Sequence, residues 1–294
     1  MTGSRLLCAL ALSAVCGAPG GWPQAASTPV VTLTPSIVEA GSPEIIRVEA
    51  PADAKPEGEW LGRKLEFFSA RTGSAWYALG GVDVEAPAGA SQLKLAIHVG
   101  STLRDLSQTI IIHPAHYRTS TLSVAPRFVA PSAEELQRIE EEKKVKETVF
   151  ASSAPQPLWH GDFRAPVHAT PTDSFGTRRL FNGQLASIHK GMDFRAHMGT
   201  PVLADNAGTV VLARPLFYEG NCVILDHGLG LFTLSMHLSR IRVREGQHVK
   251  EGQLLGLSGA TGRVTGPHLH WAVRWQGAYL DPAKLLRLNL NALQ

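Results

Sequence analysis

Two short stretches bring metal-ligating and proton-handling side chains close together: "HKGMDF" at 189–194 and "GRVTGPHLHW" at 262–271. In the second, His268 and His270 stand two apart. Side chains at i and i+2 of a strand share one face about 7 Å apart. Both imidazoles would then point the same way, with Leu269 turned to the core. Either both hold one ion, or one holds it while the other waits beside it. In the first stretch His189 and Asp193 are four apart. A straight strand would separate them by about 13 Å, too far for ligands that sit about 2.0–2.2 Å from a zinc ion. The chain must bend between them, and Gly191 is the residue that permits the bend. His, Asp and His supply three N/O donors and leave one position open, the pattern of a catalytic rather than a structural zinc site. There are no cysteine pairs to close a structural site.

These residues need rigid elements beneath them. From about 158 to 285 the chain runs through apolar stretches broken by glycine: "TPVLADNAGTVVLA", "NCVILDHG", "LFTLSMHL", "IRVREGQHVKEGQLLGLSG" and "HLHWAVRWQG". They read as strands of a mostly antiparallel β domain, with "DPAKLLRL" as a terminal helical turn. Residues 29 to about 124 carry shorter runs, among them "EIIRVEA", "AWYALGG" and "QLKLAIHVG", separated by Pro, Gly, Ser and Asp. Strands at that spacing predict a small β-sandwich. His113 and His116 lie there without Cys, Asp or Glu nearby and read as exposed imidazoles at a strand end.

Between the two lies "PSAEELQRIEEEKKVKETVF", 131–150. Ser132 followed by Glu135 is a capping box, and Glu early with Lys late suits the helix dipole. Its apolar positions, Leu136, Ile139, Val145 and Val149, predict a solvated helix with a narrow packing stripe. The "ASSAPQP" that follows reads as a linker. The fold class is therefore mainly β: an N-terminal β-sandwich-like domain at 27–130, a charged helix and linker at 131–157, and a C-terminal antiparallel β domain at 158–288.

The first 26 residues have one Arg, an apolar run from Leu6 to Cys16 and then small residues, the three-part pattern of a secretory signal peptide. The run is too short to span a bilayer. Cys16 raises lipidation as a second reading, against which stands Val15, since a lipobox cysteine usually follows Gly, Ala or Ser. With the signal removed only Cys222 remains, in an apolar run that predicts a buried structural thiol. A net charge of +3 gives no basis for nucleic acid as a partner, although it suits weak attraction to an anionic polymer such as a cell wall.

"HKGMDF", "LSMHLS" and "GATGRVTGPHLHW" resemble the three signature blocks of the M23 zinc metallopeptidases of the LytM and lysostaphin type. The resemblance covers roughly 160 to 285. It implies Zn2+ as cofactor, with His189, Asp193 and His270 as metal ligands and His237 and His268 as the unligated catalytic pair. It further implies hydrolysis of peptide bonds in peptidoglycan stem peptides or cross-bridges by an exported enzyme of the periplasm or cell envelope. Ser235 stands where the family commonly has Tyr, and Ala272 where an acidic residue is frequent; substrate preference or rate is what those departures touch. A non-catalytic, wall-binding or hydrolase-activating role is the alternative, but such members usually lose ligands that this chain keeps. "GQHVKEGQLLGLSG" also resembles the hairpin of biotinyl and lipoyl carriers, though Lys250 lacks their flanking Met or Asp. His160, His168, His197, His227 and His248 have no partners at useful spacing and read as surface or core residues.

Overall fold

The computed structural model describes residues 29–69, 75–122, 128, 130–181 and 184–293. The expected signal peptide, with Cys16, lies outside them.

Alternation builds the N-terminal half. Along strand Gly89–Val99, Leu93, Leu95 and Ile97 are buried while Gln92, Lys94 and His98 face out, which fixes the inward face of a pleated strand. Five strands run in the order Val38–Glu39, Thr102–His113, Gly89–Val99, Lys55–Trp60, Arg63–Leu65, and four in the order Val31–Thr34, Pro43–Glu49, Ala75–Gly81, Phe67–Ser69. Ile46, Val48 and Ala78 from one sheet and Trp60, Leu93 and Ile97 from the other join one hydrophobic cluster. The expected sandwich is present, and His113 and His116 are exposed.

The helix spans Ala133–Ala151, with Ser132 as N-cap and a complete capping box with Glu135. Its packing stripe is shorter than the sequence predicts. Val145, Val149 and Phe150 meet Leu212, Phe232, Leu234 and Ala272 on the outer face of the C-terminal sheet, but Leu136 is 53% exposed. Among the described residues the apolar patch engages only the last turns of the helix. Glu142 accepts a hydrogen bond from the Phe217 amide, and Lys146 pairs with Glu219. The segment after the helix is tied down as well: Ser153 Oγ and the Ala154 amide both donate to Asp226.

The C-terminal sheet follows the order Pro171–Asp173, Met192–Phe194, Leu269–Trp275, Leu231–Leu238, Gly220–Asp226, Gly208–Leu216, His248–Val249, with Ala278–Leu280 also paired to Leu269–Trp275. Every pairing in it is antiparallel. Leu231–Leu238 is buried at all eight positions, because the helix covers one face and the main core the other. That is why its sequence is apolar without alternation. Cys222 is fully buried, as expected. Asp281 caps a short helix at Pro282–Leu285.

The two halves pack closely. Leu280 lies against Gly81, where a Cβ would come within 2.6 Å of it. The Asp281 amide donates to Gly41 O at 2.7 Å, the Tyr279 amide to Asp83 at 2.8 Å, and Lys284 pairs with Glu39 at 2.7 Å. Strand Thr119–Leu122, which leaves the sandwich, pairs in parallel with Arg178–Phe181 and so extends the C-terminal domain.

Candidate metal centre

Two neighbouring strands do most of the positioning. Met192–Phe194 and Leu269–Trp275 are antiparallel, and Asp193 is the direct cross-strand partner of His270. Cross-strand pairs bring Cβ atoms within about 5 Å, so residues 77 positions apart in sequence face each other. His189 lies beyond the end of strand Gln184–Ile188, where the chain turns before Met192. The bend that the four-residue spacing demands is present. The role of Gly191 differs from the expected one, however. Its φ is not left-handed; a Cβ there would stand 2.5 Å from His270 Nε2 and 2.6 Å from the Trp271 carbonyl oxygen. Glycine is needed for close approach rather than for backbone freedom.

His189 Nε2, Asp193 Oδ1 and His270 Nδ1 converge, at 3.0, 2.9 and 2.8 Å from one another. The whole group fits the reach of a single ion. His189 Nδ1 lies 2.9 Å from the Ser174 carbonyl, which can only accept, so that nitrogen carries the proton and Nε2 presents its lone pair. Converging lone pairs around one carboxylate suit a cation at their centre. Burial alone would raise Asp193, but its close contacts with the His189 and His270 rings outweigh that and hold the carboxyl well below the usual range. His270 is pushed down to about 4, chiefly by burial, against the pull of Asp193. Both ligands are thus held in the form that binds metal.

The other two singled-out histidines adjoin the triad without joining it. The rings of His237 and His268 are 4.9 Å apart, and His237 lies 6.0 Å from His270. His268 Nε2 is 3.8 Å from Asp193 Oδ1. It precedes strand Leu269–Trp275 and is held by a single bridge to Gly259, so the two-apart pattern places both imidazoles near one centre without a shared strand. His237 Nδ1 faces the Thr261 carbonyl at 2.9 Å and His268 Nδ1 the Gly266 carbonyl at 2.8 Å. Each therefore donates from Nδ1 and keeps Nε2 for proton acceptance when neutral. Burial first, then the charges of His270 and His268, push His237 down to about 3. It also sits at φ +62°, a conformation that non-glycine residues adopt at a cost and that clusters at functional sites.

Several residues went unmarked in the sequence. Arg179 binds Asp193 Oδ2 at 2.7 Å and Asp173 Oδ2 at 2.8 Å. Asp173 itself lies 3.3 Å from His189 Nδ1. The Arg178–Arg179 doublet gives no periodic signal, and only the pairing of Pro171–Asp173 with Met192–Phe194 reveals the contact. Two cavities flank the centre. One, of about 530 Å3, lies on the His268 side; the other, of about 430 Å3, lies on the His270 side; both are lined by Arg179, His237 and Arg263. Of the remaining histidines, His160, His168, His197 and His248 are exposed. His227 is fully buried between Ala207 O, Thr233 Oγ1 and the edge of Phe163, a structural place.

Residues 187–282 match the profile of Peptidase family M23. The chain belongs to that family. The peptidoglycan DD-endopeptidase ShyA of Vibrio cholerae is 45% identical over 120 residues, which are 40% of this chain and 27% of ShyA. The matched stretch thus spans about a quarter of that relative's length. The catalytic domain of lysostaphin from Staphylococcus simulans is 34% identical, covering 41% of this chain and 93% of that domain, with a TM-score of 0.38. A crystal structure of an M23-type protein from Pseudomonas aeruginosa is 28% identical at a TM-score of 0.66, covering 84% of this chain and 94% of that one. The last likeness extends beyond the M23 segment into the N-terminal sheets.

Proposed function

We propose that this chain is an exported zinc-dependent endopeptidase that hydrolyses peptide bonds of peptidoglycan, in stem peptides or cross-bridges. The observation that carries the reading is the placement of two carbonyl-anchored imidazoles, His237 and His268, beside a buried His-Asp-His donor set between two cavities. The peptidoglycan endopeptidase activity of ShyA supports the substrate class. The leader pattern at 1–26 supports export to the periplasm or cell envelope, and no helix among the described residues is long and apolar enough to cross a membrane. We assign the peptidase to 158–288, the helix and linker to 131–157 and an accessory domain to 27–130.

In this reading His189, Asp193 and His270 hold the zinc ion, and the N/O donor set fits it. When bound, the ion supplies Lewis acidity that polarises a carbonyl and lowers the pKa of water. His237, kept neutral by burial, accepts a proton at Nε2 and passes it to the leaving amine. His268, with Nδ1 pinned to Gly266 O, stabilises the charge that develops on the carbonyl oxygen when Nε2 also carries a proton and donates. The exchange of roles between the two is equally compatible with their geometry.

Digestion of purified peptidoglycan by the full chain, read by mass spectrometry of released fragments, tests this. New amine termini that vanish with a chelator and in His270→Ala are expected. His237→Ala should retain the ion and lose about 10²- to 10⁴-fold in rate. Absence of cleavage by zinc-loaded protein would replace the proposal with a binding or activating role.

A further inference from the structure

The cavity on the His268 side has a charge pattern that proton transfer and metal binding do not use. Its wall carries three guanidinium groups, from Arg118, Arg179 and Arg263, and two carboxylates, from Asp173 and Asp193. Both carboxylates are already engaged. Asp193 belongs to the donor triad and also binds Arg179. Asp173 is shared, with Arg118 on Oδ1 at 2.6 Å and Arg179 on Oδ2 at 2.8 Å. Three guanidiniums against two carboxylates leave the wall net positive, and a divalent ion on the triad would add to it. Arg179 and Arg263 lie close enough for Arg179 to contribute to a lowered Arg263 pKa, after burial as the main cause. Arg263 is also stacked over the Tyr218 ring, 4.5 Å from its centroid, which fixes its plane while it faces both cavities.

Arg118 differs from the other two in origin and exposure. It precedes strand Thr119–Leu122, which leaves the N-terminal sandwich and joins the C-terminal domain in parallel with Arg178–Phe181. Like Arg179 and unlike Arg263, it lies outside the segment 187–282 that matches the family profile. Its side chain is 57% exposed, and contacts to Asp173, Thr172 O and Thr177 Oγ1 hold one side of the fork. The rest of the fork opens on the cavity. A guanidinium anchored through Nε and Nη2 keeps Nη1 for a charge-assisted hydrogen bond to a carboxylate.

We propose that Arg118, backed by Arg179 and Arg263, forms a subsite for a free carboxylate of the peptide substrate. The accessory segment then sets which peptides enter, while the family segment performs the hydrolysis. This rests on the peptidase reading of the same centre.

The test uses two synthetic cross-linked stem-peptide dimers, identical except that one has free carboxylates and the other has them amidated. The zinc-loaded full chain should cleave the free form with a KM roughly tenfold lower, the size of one charge-assisted contact. Arg118→Gln should remove that difference by raising KM on the free form alone, with kcat little changed, and Arg118→Lys should restore part of it. Equal losses on both dimers, or no loss, would overturn the subsite. If neither dimer is cut, the hydrolase proposal fails separately, and calorimetric binding of the same pair decides the subsite. Tighter binding of the free form, abolished in Arg118→Gln, upholds it; equal binding overturns it.

Discussion

Asp193 and His270 are direct antiparallel partners, with Oδ1 and Nδ1 2.8 Å apart in the buried centre of the sheet. The metal site is therefore part of the sheet register. Either ligand's loss should abolish stoichiometric zinc binding. A ligand that binds only the folded state raises its stability by mass action. A chelator should lower the melting temperature of the wild type and leave His270→Ala and Asp193→Ala unmoved. Metal analysis alongside thermal scans checks both halves.

Arg179 grips the second oxygen of Asp193 and so orients the first toward the histidines. Its Nε is buried without a partner, so the guanidinium stays there for its two carboxylates alone. Removing a group that orients a metal ligand commonly costs 10- to 100-fold in affinity. Arg179→Gln should lose about that much in competition with a chromogenic chelator. An unchanged affinity would mean that Asp193 is oriented by its strand alone.

Gly191 leaves no room for a methyl group between His270 Nε2 and the Trp271 carbonyl. Gly191→Ala should destabilise the protein by about 1–3 kcal/mol, the usual cost of overpacking, and weaken zinc binding as His270 is displaced. Chemical denaturation and zinc titration of the one variant report the two effects separately.

Glu44 is a pH-dependent element remote from the centre. Burial raises its pKa to about 8, against the opposing effects of the Ser42 hydrogen bond and the Lys284 charge. Ser42 Oγ donates to Oε1 at 2.6 Å, while Oε2 is buried without a partner. An unfolded glutamate titrates near 4.3, so between those values the folded state keeps a proton that the unfolded state has lost. The stabilising contribution is complete below about pH 4.3 and is lost as pH rises through 8. Glu44→Gln should match the wild type in acid and exceed it at pH 8 and above by on the order of a few kcal/mol. The difference in unfolding free energy between the two proteins across that range is the measurement.

Much of the site is legible in the sequence because its signals are local. The His189–Asp193 and His268–His270 spacings, the capping box at Ser132 and Glu135, and the alternation of Leu93, Leu95 and Ile97 each act within a few residues. The shortened stripe of the helix, with Leu136 in solvent, was not legible, since an apolar position packs only where a partner surface reaches.

By itself, the sequence determined the mainly β class and the spacing of His189, Asp193, His268 and His270, since residue type and short-range periodicity set these; His237 came from the resemblance of its block to the family's. Tertiary structure alone decided which nitrogen of each imidazole is free. His189, His237 and His268 are turned by carbonyls of Ser174, Thr261 and Gly266, which lie 15, 24 and 2 residues away. It also decided that Arg118 and Arg179 share Asp173 and that Gly191 must lack a side chain because His270 and Trp271 press against it. Most of these contacts join loops and strand ends far apart in sequence, and their distances depend on how the sheet that carries them is assembled.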